Sequence, residues 1–183
     1  MEHFARWPGD TPIVTHSESR SMGAALLMSQ LYDKPIHIAH ISLREEVLLI
    51  KAAKERGIKV TCEVCPHHLF LAEGGLPLAD IGGCCEEGLS GGRAEVRPRL
   101  ATAEDAAALW ENLEVIDCFA TDHAPHTAEE KANKYLKAPS GLPLIQHSLN
   151  VMLDFYQQGK ISLEKIIEKI KKRQIFMGFS FIL

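Results

Sequence analysis

The feature that most constrains this chain is an alternation. Short apolar runs rich in β-branched residues alternate four times with stretches of helical spacing. Residues 12–16, 35–40, 59–64 and 115–121 read as strands. Residues 19–32 read as a helix, with Ala24, Leu27, Met28 and Leu31 on one face. A second helix over 43–56 is closed by Gly57, and a third over 102–112 opens with Thr102 and Asp105 as a cap pair. Residues 143–158 and 162–172 are two more helices split by Gly159, and the Gly-rich acidic stretch 73–92 reads as a loop.

This order implies a parallel sheet covered on both faces, either an open doubly wound sheet or a (β/α)8 barrel. The polar residues favour the barrel. His16, His40, Glu63 and Asp122 all fall at or near the C-terminal ends of their strands, where barrel enzymes keep their chemistry. A complete barrel takes roughly 250 residues. The expected fold is therefore α/β, a partial (β/α)8 barrel over residues 1–172. Residues 173–183, where the chain turns from basic to aromatic-apolar, form an atypical tail. Half a barrel has two exposed strand edges, so the isolated chain is expected to aggregate or to pair with another half.

Composition removes several function classes. Hydrophobic residues make up 46% and charged residues 24% of the 183, which suits a globular chain and not a disordered one. The formal net charge of -4 leaves no broad basic field for nucleic acid. The apolar tail is far shorter than the roughly 20 residues of a membrane span. The polar N-terminal stretch is no secretory signal, and the odd count of five cysteines favours a reduced, cytoplasmic setting. Cys62 and Cys65 form a C-x-x-C. No second such pair lies at zinc-ribbon distance and no helix is expected directly after it, which argues against redox or structural-zinc chemistry.

Histidine sets the agenda, with nine in 183 residues. His16, His40 and Asp122 are two imidazoles and a carboxylate, a ligand set for zinc or a similar divalent ion. A single histidine at a strand end is more often a satisfied, partly buried side chain. Three such groups at separate strand ends point to a metal. Asp122 alone could be a helix cap, which would leave His126 unexplained. Pro66 suggests a turn at His67 and His68, where turn histidines are more often supporting or exposed than ligands. Arg97 is either a surface ion pair or a hook for a substrate carboxylate.

Five motifs occur in a familiar order: Thr15-His16-Ser17-Glu18, His37-Ile38-Ala39-His40-Ile41-Ser42, Cys62-Glu63-Val64-Cys65-Pro66-His67-His68, Glu95-Val96-Arg97-Pro98 and Thr121-Asp122-His123-Ala124-Pro125-His126. Together they resemble the dihydroorotases of the cyclic-amidohydrolase superfamily, nearest to the animal type fused to other pyrimidine-synthesis enzymes. The resemblance covers about residues 10–170.

It implies strands five to eight of a barrel with a two-zinc centre, the C-terminal half of the fold. His16 and His40 would hold one zinc, and Asp122 would hold the other and act as general base and acid. Arg97, His126 and the backbone at Pro139 would bind the substrate, and Glu63 would stand behind the ligands. The implied reaction is the reversible cyclisation of N-carbamoyl-L-aspartate to L-dihydroorotate. The implied setting is cytoplasmic, with no membrane partner, alongside other pyrimidine-pathway domains or as a homo-oligomer. Hydantoinase, dihydropyrimidinase and allantoinase share the histidine motifs but lack the Glu-Val-Arg-Pro guanidinium.

Three departures accompany the resemblance. No His-x-His pair and no lysine precede His16, so three metal ligands of the family have no counterpart here. Ala39 stands where some animal relatives carry a third-zinc cysteine, and residues 81–92 lengthen the loop before Arg97. The isolated polypeptide is therefore expected to bind metal weakly and to be inactive, acting if at all as a truncated interaction partner.

Overall fold

The computed structural model describes residues 2–9, 11–73, 76–77, 91–133 and 137–176. Four short strands, β1 (Ile13–Thr15), β2 (Ile36–Ile38), β3 (Val60–Val64) and β6 (Cys118–Phe119), form one parallel sheet in the order β1-β2-β3-β6. Helices α2 (Ser19–Tyr32) and α3 (Arg44–Glu55) make the first two crossovers. Between β3 and β6 lie α4 (Pro66–Phe70), an antiparallel pair of β4 (Leu71–Ala72) with β5 (Leu76–Pro77), and α5 (Ala103–Glu111). α6 (Ala128–Lys131), α7 (Ser148–Gln157) and α8 (Leu163–Phe176) follow β6, and a short α1 (Glu2–Arg6) precedes β1. No helix among the described residues is long and apolar enough to cross a membrane.

The register sorts the side chains. Ile13, Ile36 and Val60 are aligned, as are Thr15, Ile38 and Cys62. Successive strand residues point to opposite faces. One face therefore carries Ile36, Ile38, Val60, Cys62 and Val64, all buried in the main core with Met22 and Leu26 of α2 and Val47 and Ile50 of α3. The other face carries Val14, His37 and Thr61 in one row and Glu63 with Cys118 in the next. The sheet is thus apolar toward its helices and polar toward the opposite side. β1 is an outer strand, and its Val14 is 56% exposed.

The helix ends are tied across the fold. Glu46 is buried in the first turn of α3, and its carboxylate accepts from the backbone N–H groups of Ser42 (2.9 Å), Leu43 (3.1 Å) and Ser19 (3.1 Å). One side chain so anchors the starts of α2 and α3. Asp105 does the same for α5 and α3: it forms the expected box with Thr102 and accepts from Arg44 N at 2.9 Å. The Asp117 carboxylate accepts from Cys62 N at 2.8 Å and from the Lys54 ammonium at 2.6 Å, fixing β6 beside β3.

Several elements differ from their sequence reading. A five-residue helix starts at Pro66, immediately after the C-x-x-C, with proline at its first turn where no N–H is needed. His67 and His68 are not exposed turn residues; both are buried. The Cys62 thiol is pushed up to about 12 by burial, which still speaks against redox use of that pair. α7 begins at Ser148 rather than 143, because Leu142 pairs with His123 and Ile145 N donates to His123 Nδ1 at 3.1 Å. α8 runs on to Phe176, four residues beyond the expected end, and residues 177–183 of the expected tail lie outside the described residues. Most of the loop over 73–92, including Cys84 and Cys85, also lies outside them.

Candidate functional site

The site begins where three strands end. His16 follows β1, His40 lies two residues after β2 and Asp122 three after β6. His40 (φ 37) and Asp122 (φ 44) both hold left-handed backbone conformations. Such conformations cost of order 1 kcal/mol for residues with a Cβ and concentrate at functional positions. The two rings meet edge to face, 4.5 Å between centroids, with His16 Nδ1 2.8 Å from His40 Nε2. His16 Nε2 lies 3.3 Å from a Glu18 oxygen.

The electrostatics agree with a ligand role for His40. Burial holds its pKa below the ordinary value, opposed by the nearby charge of Asp122 and, more weakly, of Glu63. A neutral imidazole has a lone pair to offer a metal. Its Nδ1 is buried without a hydrogen-bond partner among the described residues. Two imidazole nitrogens this close, with a carboxylate field on one of them, fit the donor chemistry of a borderline divalent ion. Asp122 itself is in neither of the two groups of three candidate ligands that the described residues bring within 4.8 Å of one another.

One of those groups extends the polar face of the sheet. His37 bridges the Thr61 hydroxyl (Nδ1 to Oγ1, 2.8 Å) and the Glu63 carboxylate (Nε2 to Oε2, 3.3 Å), with the Cys118 sulfur nearby. Glu63 thus pairs with His37 on the polar face of the sheet, and His37 is a residue of that face to which the sequence reading gives no role. Its signal was the strand period, which puts His37 on the face of Thr61 and Glu63.

The other group is Cys65, His67 and His68. The rings of His67 and His68 lie 4.1 Å apart. Burial lowers the pKa of His67 well below the ordinary value and that of His68 to about 4. Both nitrogens of His67 and Nδ1 of His68 are buried with no hydrogen-bond partner among the described residues. Each such polar atom ordinarily costs about 1–3 kcal/mol.

Arg97, His126 and Pro139 come from three separate segments that the fold fastens together. The Arg97 guanidinium is 2.9 Å from the buried Glu95 carboxylate. Ser140 Oγ reaches the same Glu95 oxygen at 3.5 Å, and His126 Nε2 donates to the Ser140 carbonyl at 3.0 Å. The buried Lys131 ammonium donates to the carbonyls of Glu95 (2.7 Å) and Pro139 (3.0 Å), and Gly141 N donates to Glu95 O at 3.1 Å. Gly141 has φ 137, and a Cβ there would lie 2.4 Å from the Ala124 carbonyl oxygen, so the close approach requires glycine. Lys131 and Glu95 carry this rim; the sequence reading places Glu95 in the Glu95-Val96-Arg97-Pro98 motif and gives neither residue a role. A mainly apolar recess lined by Phe119, Ile145, Leu149, Met152 and Ile170, with Thr121 and Ser148, has no charged side chain among its described lining residues.

Comparison with known proteins gives this geometry a lineage. No family model matches the chain. The Multifunctional protein CAD of Squalus acanthias is 44% identical over 178 residues, 96% of this chain and 7% of that protein. The dihydroorotase of Brevibacillus brevis is 36% identical over 159 residues, 85% of this chain and 35% of the enzyme. Among solved structures, the inactive dihydroorotase-like domain of the Chaetomium thermophilum CAD-like multifunctional protein superposes with a TM-score of 0.73 at 26% identity. That match covers 98% of this chain and 47% of that one. The L-hydantoinase of Arthrobacter aurescens gives 0.72 at 27% identity, covering 86% and 34%. The chain therefore spans less than half the length of each of these relatives. By sequence over most of its length, and by the parallel sheet it builds, this chain is dihydroorotase-like and corresponds to part of an amidohydrolase barrel.

Proposed function

We propose that this chain is part of a dihydroorotase-type hydrolase, opening and closing the cyclic amide between L-dihydroorotate and N-carbamoyl-L-aspartate. The observation that carries the reading is the rim. Arg97, held by Glu95, and His126, held by Ser140, are drawn from separate segments into one assembly. A guanidinium and an imidazole tied into one assembly through Glu95 and Ser140 suit a substrate carboxylate, which a plain hydantoin or dihydropyrimidine ring lacks. This favours dihydroorotase over the hydantoinase alternative.

His16, His40 and Asp122 would hold zinc, with two ions in a complete centre. Zinc supplies an activated water near neutral pH and polarises the amide carbonyl. Asp122 takes the proton of the attacking water and returns it to the departing ring nitrogen. In the reverse direction the carbamoyl nitrogen closes on the side-chain carboxyl and water leaves. Arg97 pairs with the substrate carboxylate in a charge-assisted contact, while the Pro139 carbonyl and His126 border it. Glu63 steadies the histidine face through His37. Small-molecule substrate, cytoplasmic setting and association with other pyrimidine-pathway domains or a second copy belong to the same reading.

Two imidazoles and one carboxylate fall short of the ligands a tight centre takes. The 183 residues alone are therefore expected to hold zinc only weakly at His16, His40 and Asp122 and to leave L-dihydroorotate intact. An ultraviolet hydrolysis assay with added zinc checks this, and turnover by the isolated chain would refute it. The substrate assignment is tested by a chimera in which this chain replaces the matching segment of the Brevibacillus brevis enzyme. Turnover of L-dihydroorotate is expected, lost in Arg97→Met. Turnover of hydantoin instead would favour the alternative.

A further inference from the structure

We propose that Cys65, His67 and His68 form a metal site of their own, for a divalent ion of the zinc or cobalt kind, distinct from the His16–His40 pair. The three residues sit together because Cys65 caps the start of α4 and His67 and His68 occupy its first turn. One ligand atom from each lies within 4.8 Å of the others. Neighbouring donors on one tetrahedral ion, with bonds of about 2.0–2.3 Å, stand about 3.5 Å apart, so only small side-chain rotations separate this arrangement from a closed site.

The hydrogen bonds choose the tautomer. A carbonyl can only accept, so the 3.1 Å contact from His68 Nε2 to Pro98 O places the ring proton on Nε2. Nδ1 is then a bare lone pair, buried and without a partner among the described residues. A ligand histidine whose other nitrogen donates to a backbone carbonyl is the usual supporting arrangement around metals. His67 is 0% exposed, and neither of its nitrogens has a partner among the described residues. A hydrogen-bonding role does not explain this ring, and an apolar residue would fill the position without penalty. A thiolate with two imidazoles is a borderline-soft set that suits zinc or cobalt better than magnesium or calcium.

Binding forms a metal–sulfur bond and releases the Cys65 thiol proton to solvent, with no change of oxidation state. All three ligands are buried, so the ion enters during folding or local opening. Sulfur distinguishes this site from His16, His40 and Asp122, which offer only nitrogen and oxygen. The group of His37, Glu63 and Cys118 also offers sulfur and serves as the internal comparison.

The test is refolding of the reduced full chain with cobalt(II). A sulfur-to-cobalt charge-transfer band in the near ultraviolet is expected, present in Cys118→Ser and in His16→Asn, and absent in Cys65→Ser. No band in the unsubstituted chain, a band that survives Cys65→Ser, or one that vanishes in Cys118→Ser would overturn the proposal. A substitution inside a buried cluster can unfold the chain, so X-ray absorption of the unsubstituted cobalt-loaded protein is the second measurement. A coordination shell with one sulfur is expected, and a shell of nitrogen and oxygen alone would overturn the assignment.

Discussion

The two parts of the candidate site are held by opposite means. At the sheet end, His16 and His40 take their places from the strands that deliver them, and their contact is side chain to side chain at 2.8 Å. At the rim, Arg97, His126 and Pro139 lie in segments without regular structure, and what holds those segments is largely a bond to a backbone carbonyl from Lys131, His126 or Gly141. The sheet end is a matter of register. The rim is a matter of a few buried fasteners. The first should tolerate loop changes and suffer from acid, whereas the second should come loose when one fastener is cut.

Acid is expected to have the largest effect, through His40 at the sheet end and through His67 and His68 on α4, where His68 Nε2 donates to the Pro98 carbonyl. An unfolded histidine titrates near 6.5, whereas folded His68 titrates at about 4, with His67 and His40 also lowered by burial. Between those values the unfolded chain binds more protons than the folded one, so stability falls as pH drops from about 6.5 toward the His68 value of about 4. His68 alone accounts for about 3 kcal/mol of this in the metal-free chain. Urea midpoints across that range check it, and a flat profile would contradict the burial of these rings.

Lys131→Met should come next. It deletes two charge-assisted bonds of about 1.5 kcal/mol each and takes from the Pro139 carbonyl its Lys131 donor, while the Glu95 carbonyl keeps Gly141 N. Hydrogen exchange is expected to quicken at 95–98 and 139–142 and to stay slow in β1–β3. Equal loosening of both regions would show that they are not independent. Gly141→Ala should cost about 2 kcal/mol through the Ala124 contact and the left-handed backbone. Its effect should also be confined to the rim in the same exchange experiment. Thr102→Ala removes a helix cap whose side-chain hydrogen bonds run to Asp105 and not to either region, and should cost about 1 kcal/mol without altering exchange in either. A selective change at the rim there would tie α5 to it.

What was legible in the sequence was local. The helix over 19–32 has the observed bounds, and the Thr102–Asp105 box forms as spelled. Both depend on contacts three or four residues apart, which adjacent letters specify. The strand ends were legible from their short β-branched apolar runs, and with them the places of His16, His40, Glu63 and Asp122. α4 was not legible, because a proline in a doubled-histidine stretch is as good a turn start as a helix start.

Residue chemistry and the alternation of strand and helix are enough to determine a covered parallel sheet with histidines and carboxylates at its strand ends. Tertiary structure alone decided which of these groups meet. His37 with Glu63, Glu95 with Arg97 and Lys131 with Pro139 come together through the register of β2 on β3 and the approach of the 91–98 loop to residues 139–141. Burial of His67 and His68 has the same origin. The energies that set it come from packing between segments distant in the chain, and no local pattern of residues encodes the order in which strands will lie side by side.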